Sequence, residues 1–300
     1  MESLLYIHWH VQPEIFRIGG FAIRWYGLLF VLGFVVGYGI FRWFFRREKV
    51  SEKLLDPLLY TLLIATIVGA RLGHCIFYQP GYFFGSWEGF LEIFMPWKGG
   101  LASHGGAIAL VLAMLWFSHK YGPKNGFDFW WIMDRLVIPV CFAGAFIRLG
   151  NFFNSELYGN SVTTLPWGTI FELRGETLPK HPTQLYESLY YALLGLGLLA
   201  LYYKKLDKLN RGTIFGIFLI LLFGFRFFIE YIKEATVFID LSSTSTIDMG
   251  QLLSIPFVVA GVVILIWSLR NGKPATIDPP APTRPAKKEA THYAKSLRND

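Results

Sequence analysis

From Arg148 to Gly159 the chain reads Arg-Leu-Gly-Asn-Phe-Phe-Asn-Ser-Glu-Leu-Tyr-Gly, carrying Arg148, Asn151, Asn154 and Glu156 out of a long apolar run into a polar loop. An arginine at such depth is costly unless it meets a partner or a water-filled cavity. Snorkelling towards the headgroups would account for Arg148 but leaves the asparagines and the glutamate without a role. A second arginine, Arg226, lies in another apolar run with Glu230 four residues on. Arginine before glutamate is the poorer order for such a pair, and Glu230 falls at a helix end whose dipole disfavours an anion. The two residues therefore read as held for a further contact. Arg148 and Arg226, coming from different helices, can aim at one anion.

Other polar residues join them. His104 stands in Gly-Gly-Leu-Ala-Ser-His-Gly-Gly, residues 99–106, where the glycines let backbone or ligand approach closely. On its own it would equally suit a satisfied interfacial histidine. In His181-Pro-Thr-Gln-Leu-Tyr-Glu187 the proline suits the first helical position, and Gln184 and Glu187 then share a face. Tyr26 opens the first apolar run and also suits an aromatic belt. Arg71 is read as structural. There is no metal-ligand spacing, and neither a nucleophile elbow nor a phosphate-cradling loop.

These groups need a membrane around them. Of 300 residues, 53% are hydrophobic and 16% charged, against about 25% charged in soluble domains; mean hydropathy is +0.41. Seven apolar runs of roughly spanning length are predicted, at about Gly19–Phe45, Leu54–Tyr78, Leu101–Phe117, Phe129–Gly150, Pro182–Tyr203, Gly212–Ile232 and Met249–Leu269. The expected fold is thus an all-α polytopic membrane protein with a small extracytoplasmic segment between helices four and five. Within that segment, Trp167–Leu173 and the Arg174-Gly175 turn suggest a short hairpin. The net charge of +7 comes from short basic clusters between the runs rather than from one nucleic-acid-binding surface. Those clusters follow runs one, three, five and seven, which places the amino terminus outside and the carboxyl terminus in the cytoplasm. Residues 1–270 form the membrane domain in this reading, and the proline- and lysine-rich 271–300 a disordered basic tail. Residues 1–18 lack the pattern of a cleavable signal peptide. Cys75 and Cys141 both lie in apolar runs and behave as small hydrophobes. On this topology Tyr26, Arg71, His104, Arg148, Gln184, Glu187, Arg226 and Glu230 fall in one layer of the outer half of the bilayer, which predicts a polar cavity there.

In this order, Arg24-Trp-Tyr-Gly27, Ser103-His-Gly-Gly106, the Arg148–Gly159 block, His181–Glu187, Arg226-Phe-Phe-Ile-Glu230 and Met249–Pro256 resemble the landmarks of the prolipoprotein diacylglyceryl transferases. The likeness runs from about residue 12 to 270. Ile147 and Ser155 stand where that family commonly has glycine. The resemblance implies an enzyme of the bacterial cytoplasmic membrane that moves the diacylglyceryl group of phosphatidylglycerol to the lipobox cysteine of a prolipoprotein signal peptide, releasing glycerol phosphate, with neither metal nor organic cofactor. It implies that Arg148 and Arg226 hold the phosphate, and that Asn151, Asn154, Glu156, Gly159, Gln184, Glu187 and Glu230 shape the substrate site. His104 is then the first candidate for the thiol's base and Tyr26 the second. The competing classes are a seven-helix lipid-binding transporter or a receptor without chemistry. No internal repeat supports the transporter, and the last run lacks the lysine of a retinal protein.

Overall fold

The computed structural model describes residues 6–233 and 249–277. Its elements run β1 (Ile7–Trp9), β2 (Glu14–Ile18), β3 (Phe21–Arg24), α1 (Trp25–Arg47), α2 (Leu55–Phe77), two short helices α3 (Pro80–Gly85) and α4 (Trp87–Glu92), α5 (Ser103–Asn125), α6 (Phe129–Phe153), β4 (Thr169–Phe171), α7 (Thr183–Lys205), α8 (Thr213–Ile229) and α9 (Met249–Asn271). A helix of 23 residues is about 35 Å long, enough for the hydrocarbon core of a bilayer. Five of the long helices, α1, α2, α6, α7 and α9, are apolar enough to cross a membrane. α5, with its polar start and basic end, and α8, with 17 residues, fall short by composition or by length.

α6 is the central helix, packed against α1, α7, α8 and α5, while α2 pairs with α5 and α8 with α9. The α2–α5 contact is a backbone-to-backbone approach. A Cβ at Gly105 would lie 2.3 Å from the Gly69 carbonyl oxygen, so only glycine permits it.

The two ends of the bundle differ. At the end where α1 finishes and α6 begins, Phe44, Phe45, Trp131, Ile138, Tyr202 and Ile214 are fully buried around a polar knot. Glu48 accepts from Arg135 Nη2 at 2.7 Å, Trp131 Nε1 at 2.9 Å and Tyr202 Oη at 2.6 Å. Asp134 accepts from the Gly212 and Phe215 amides at 2.7 and 2.8 Å, satisfying donors at the start of α8 that would otherwise be orphaned. Arg135 and Arg211 also donate to the carbonyls of Ala275, Pro274 and Thr276. The first residues of the segment read as a tail are therefore docked into this end, and Ala275 is 1% exposed. Residues 278–300 lie outside the described residues.

The suggested hairpin over 167–175 does not form. Instead β4 pairs in parallel with β1, from Ile7↔Thr169 to Trp9↔Phe171, and a 3₁₀ turn follows at Glu172–Arg174. β2 and β3 form the antiparallel hairpin. Arg71 is structural as expected: it donates to the carbonyls of Glu92, Ile93, Gly99 and Gly100 and so closes the α4–α5 loop over the end of α2.

Candidate active site

The opposite end of the bundle is polar. The last turns of α6 present Arg148 and Asn151, and Asn154 caps the helix. The chain then turns through Ser155 at φ 52° and Leu157 at φ 61°. This left-handed region is unfavourable for a side-chain-bearing residue, most of all for one as large as leucine. The strain at Ser155 is what a glycine would relieve. The turn brings Glu156 back under the helix end, with its amide donating to the Asn151 carbonyl at 3.1 Å. Glu156 Oε1 then accepts from Asn151 Nδ2 at 2.8 Å and from Asn154 Nδ2 at 3.1 Å, while Arg148 Nη1 donates to Asn151 Oδ1 at 3.4 Å.

α7 fixes this loop. Gln184 Nε2 donates to the Glu156 carbonyl at 2.7 Å and Thr183 Oγ1 to that of Leu157 at 2.9 Å. One turn further on, Glu187, wholly buried, sets Oε2 3.3 Å from Arg148 Nε. The Gly159 amide donates to the His181 carbonyl at 2.8 Å, and a Cβ on Gly159 would come within 2.6 Å of the Ile232 carbonyl oxygen. That close approach is the physical reason for a glycine there.

From α8, Arg226 Nη2 meets Glu230 Oε1 at 3.4 Å, so the pair that its order disfavours does form. Lys233, buried just beyond α8, lies 3.4 Å from Glu187 Oε1 and 3.8 Å from Glu230 Oε1. The contacts make one chain of charges: Arg148, Glu187, Lys233, Glu230, Arg226. Nine of the eleven sequence-predicted residues thus meet through contacts within this cluster. Tyr26 is held beside it, its ring against Gly150 of α6, where a Cβ would sit 2.9 Å from Cδ2. His104 opens α5, half-buried and without a hydrogen bond to the described residues. Tyr186 turns away, its hydroxyl accepting from Trp167 Nε1 at 2.8 Å.

Lys233 is the residue that sequence reasoning missed. Its signal was spacing: Arg226, Glu230 and Lys233 recur at four and three residues, along one helical face. Three polar atoms at the site, Asn154 Oδ1, Ser155 Oγ and Gln184 Oε1, are buried without a hydrogen-bond partner among the described residues. Buried polar atoms are nearly always paired, so these stand out in the cluster. Towards solvent, Asn154 and Glu156 border a polar cleft of ≈ 620 Å³ shared with Glu14, Arg17, Arg24 and Arg174. Beneath the cluster an apolar pocket of ≈ 220 Å³ opens between α1, α2, α5 and α6. Its α6 wall runs from Leu136 to Ile147, the neighbour of Arg148, a length of about 16 Å at 1.5 Å per residue.

Fold and site together define a polytopic helical membrane protein with a charge-balanced arginine–carboxylate cluster set above an apolar pocket. The sequence model of the prolipoprotein diacylglyceryl transferases matches residues 13–267, and the chain belongs to that family. It is 43% identical over 265 residues to the phosphatidylglycerol–prolipoprotein diacylglyceryl transferase of Tolumonas auensis, covering 88% of this chain and 98% of the relative. Proteins of the same name from Bacteroides fragilis, 40% identical over 88% of this chain and 96% of the relative, and Chloroherpeton thalassium, 38% identical over 91% and 98%, are similar throughout.

Proposed function

We propose that this protein transfers the diacylglyceryl group of phosphatidylglycerol to the lipobox cysteine of a prolipoprotein. What carries the reading, beside family membership, is a cluster joining two arginines from different helices, with Arg148 following directly on Ile147 in the wall of an apolar pocket. The donor is an amphiphile with one phosphodiester charge, and the site offers cations at its head and an apolar wall below. The thiol sulfur attacks the terminal glyceryl carbon of the diacylglycerol moiety. The bond from that carbon to the phosphate oxygen breaks, and glycerol phosphate leaves. The thiol proton passes to a base, with His104 the first candidate and Tyr26 the second. A singly charged diester becomes a doubly charged monoester, so charge gathers on the phosphate in the transition state, where Arg148 and Arg226 stabilise it through charge-assisted hydrogen bonds. Asn151, Asn154, Glu156, Gly159, Gln184, Glu187 and Glu230 hold the arginines in place and offer the remaining polar contacts. The acceptor peptide reaches them through the polar cleft beside Asn154. A lipid carrier without chemistry would share the pocket but would not consume its lipid.

The test is a purified protein given phosphatidylglycerol and a lipobox peptide. Peptide lipidation and glycerol phosphate should rise in step; equal transfer from a neutral diacylglycerol would overturn the assignment. The same assay reads the pocket. Leu62→Trp narrows it, so long-chain donors should lose more activity than short-chain ones, and an equal loss on both would remove the pocket from donor binding.

The setting proposed for this chemistry is the bacterial cytoplasmic membrane, with seven spans (α1, α2, α5, α6, α7, α8, α9), the amino terminus outside and residues 154–182 extracytoplasmic. The basic residues Arg46, Arg47, Lys204 and Lys205 at the inner helix ends support that orientation. Residues 1–270 then carry the catalysis, and the segment from 271 is a cytoplasmic extension. Cysteines introduced between 160 and 180 should react with an impermeant reagent added outside intact cells; labelling only from the cytoplasmic side would refute the orientation.

A further inference from the structure

Lys233 has 6% of its side chain exposed and contacts no residue assigned above to the donor phosphate. Its Nζ lies 3.4 Å from each oxygen of Glu187 and 3.8 Å from Glu230 Oε1. These are the carboxylates that hold Arg148 at 3.3 Å and Arg226 at 3.4 Å. Each arginine thus shares its counter-ion with the same lysine. With Glu156, the cluster has the cations Arg148, Arg226 and Lys233 against the anions Glu156, Glu187 and Glu230, and it balances.

An anion arriving at the arginines upsets that balance. To engage it, the guanidiniums must turn part of their donors away from Glu187 and Glu230, and a buried carboxylate left without a partner is strongly penalised. We infer that Lys233 is a positioning residue: it keeps both glutamates neutralised while Arg148 and Arg226 turn to the donor phosphate. The inference rests on the diacylglyceryl transferase reading of the site. A lysine suits the task because its compact ammonium carries three freely rotating donors and can shift between two carboxylates as each arginine withdraws. The backbone holds it in place. Lys233 forms a β-bridge with Gly159, which ties the lysine to the loop carrying Asn154 and Glu156.

The experiment compares wild type, Lys233→Met and Lys233→Arg, purified in detergent micelles, with phosphatidylglycerol titrated at fixed acceptor peptide. Lys233→Met should raise KM for phosphatidylglycerol by at least about thirtyfold, the least expected when one partner of a buried charge pair is removed, with a smaller fall in kcat. Lys233→Arg should recover most of the donor affinity. A packing role alone would lower the folded fraction of both variants and leave KM unchanged. Should methionine prevent folding, Lys233→Gln removes the charge while keeping reach and a donor, and serves the same comparison. A wild-type KM in the neutral variant, or equal impairment of the folded neutral and arginine variants, would overturn the inference. A wild type inactive on phosphatidylglycerol would overturn it together with the functional reading.

Discussion

Replacing Arg148 by methionine should lower the turnover of diacylglyceryl transfer by about 10²–10³, the usual cost of removing one donor aimed at a developing anion. The effect should exceed any loss of donor binding, because the phosphate carries one charge in the bound lipid and approaches two as the carbon–oxygen bond breaks. Arg148→Lys should restore only part of the rate. A lysine keeps the charge but loses the planar fork, and with it the ability to hold Glu187 and Asn151 and still present a donor to phosphate. In the folded protein Arg148 meets Glu187 at 3.3 Å and Asn151 at 3.4 Å. Truncation therefore also disturbs Asn151, and through it Glu156. The lysine variant separates the two contributions. If Arg148→Lys matches wild type in turnover, the bidentate role is wrong; if the methionine variant binds donor poorly but turns over normally at saturation, Arg148 belongs to binding alone.

That Arg148 mattered was legible because its neighbours are local. Asn151, Asn154 and Glu156 lie within eight residues of it, and helical spacing already groups the first two contacts. Arg226 and Glu230, and Gln184 and Glu187, were legible for the same reason. What joins these groups is long-range and has no local signature. Glu187 finds Arg148 across two helices, and Lys233 finds Glu187 across 46 residues. In the sequence, Lys233 is a lone lysine just past the sixth apolar run. The 167–175 hairpin failed on the same ground: the apolar strand was real, but its partner was Ile7–Trp9, some 160 residues away. The opposite end of the bundle shows the limit most clearly. Glu48 and Arg135 carried no part of the sequence reading, yet they form a buried pair at 2.7 Å, and Arg135 anchors Ala275. Composition predicted a disordered tail from residue 271, but it cannot register that arginines elsewhere in the chain recruit its first carbonyls.

The other large effect is expected at His104. A thiol with an ordinary pKa of about 8.5 is mostly protonated at neutral pH and reacts as the thiolate, so transfer at pH 7 is helped by a base near the sulfur. His104 sits at the first turn of α5, half-buried, and makes no hydrogen bond to the described residues that would occupy its ring nitrogens. Glutamine at this position keeps a side chain of similar reach and hydrogen-bonding character but cannot take a proton at neutral pH. His104→Gln should therefore bind phosphatidylglycerol as wild type does, while turnover at pH 7 falls by about 10²–10⁴. Raising the pH ionises the thiol without help, so the deficit should shrink as pH passes the thiol's own pKa. A variant impaired only through misplacement would keep the same deficit at every pH. The decisive measurement is turnover against pH for wild type and variant with donor affinity determined in parallel. Near-normal turnover of His104→Gln at pH 7 would remove the histidine from proton transfer and move the role to Tyr26, whose ring packs against Gly150, two residues along α6 from Arg148.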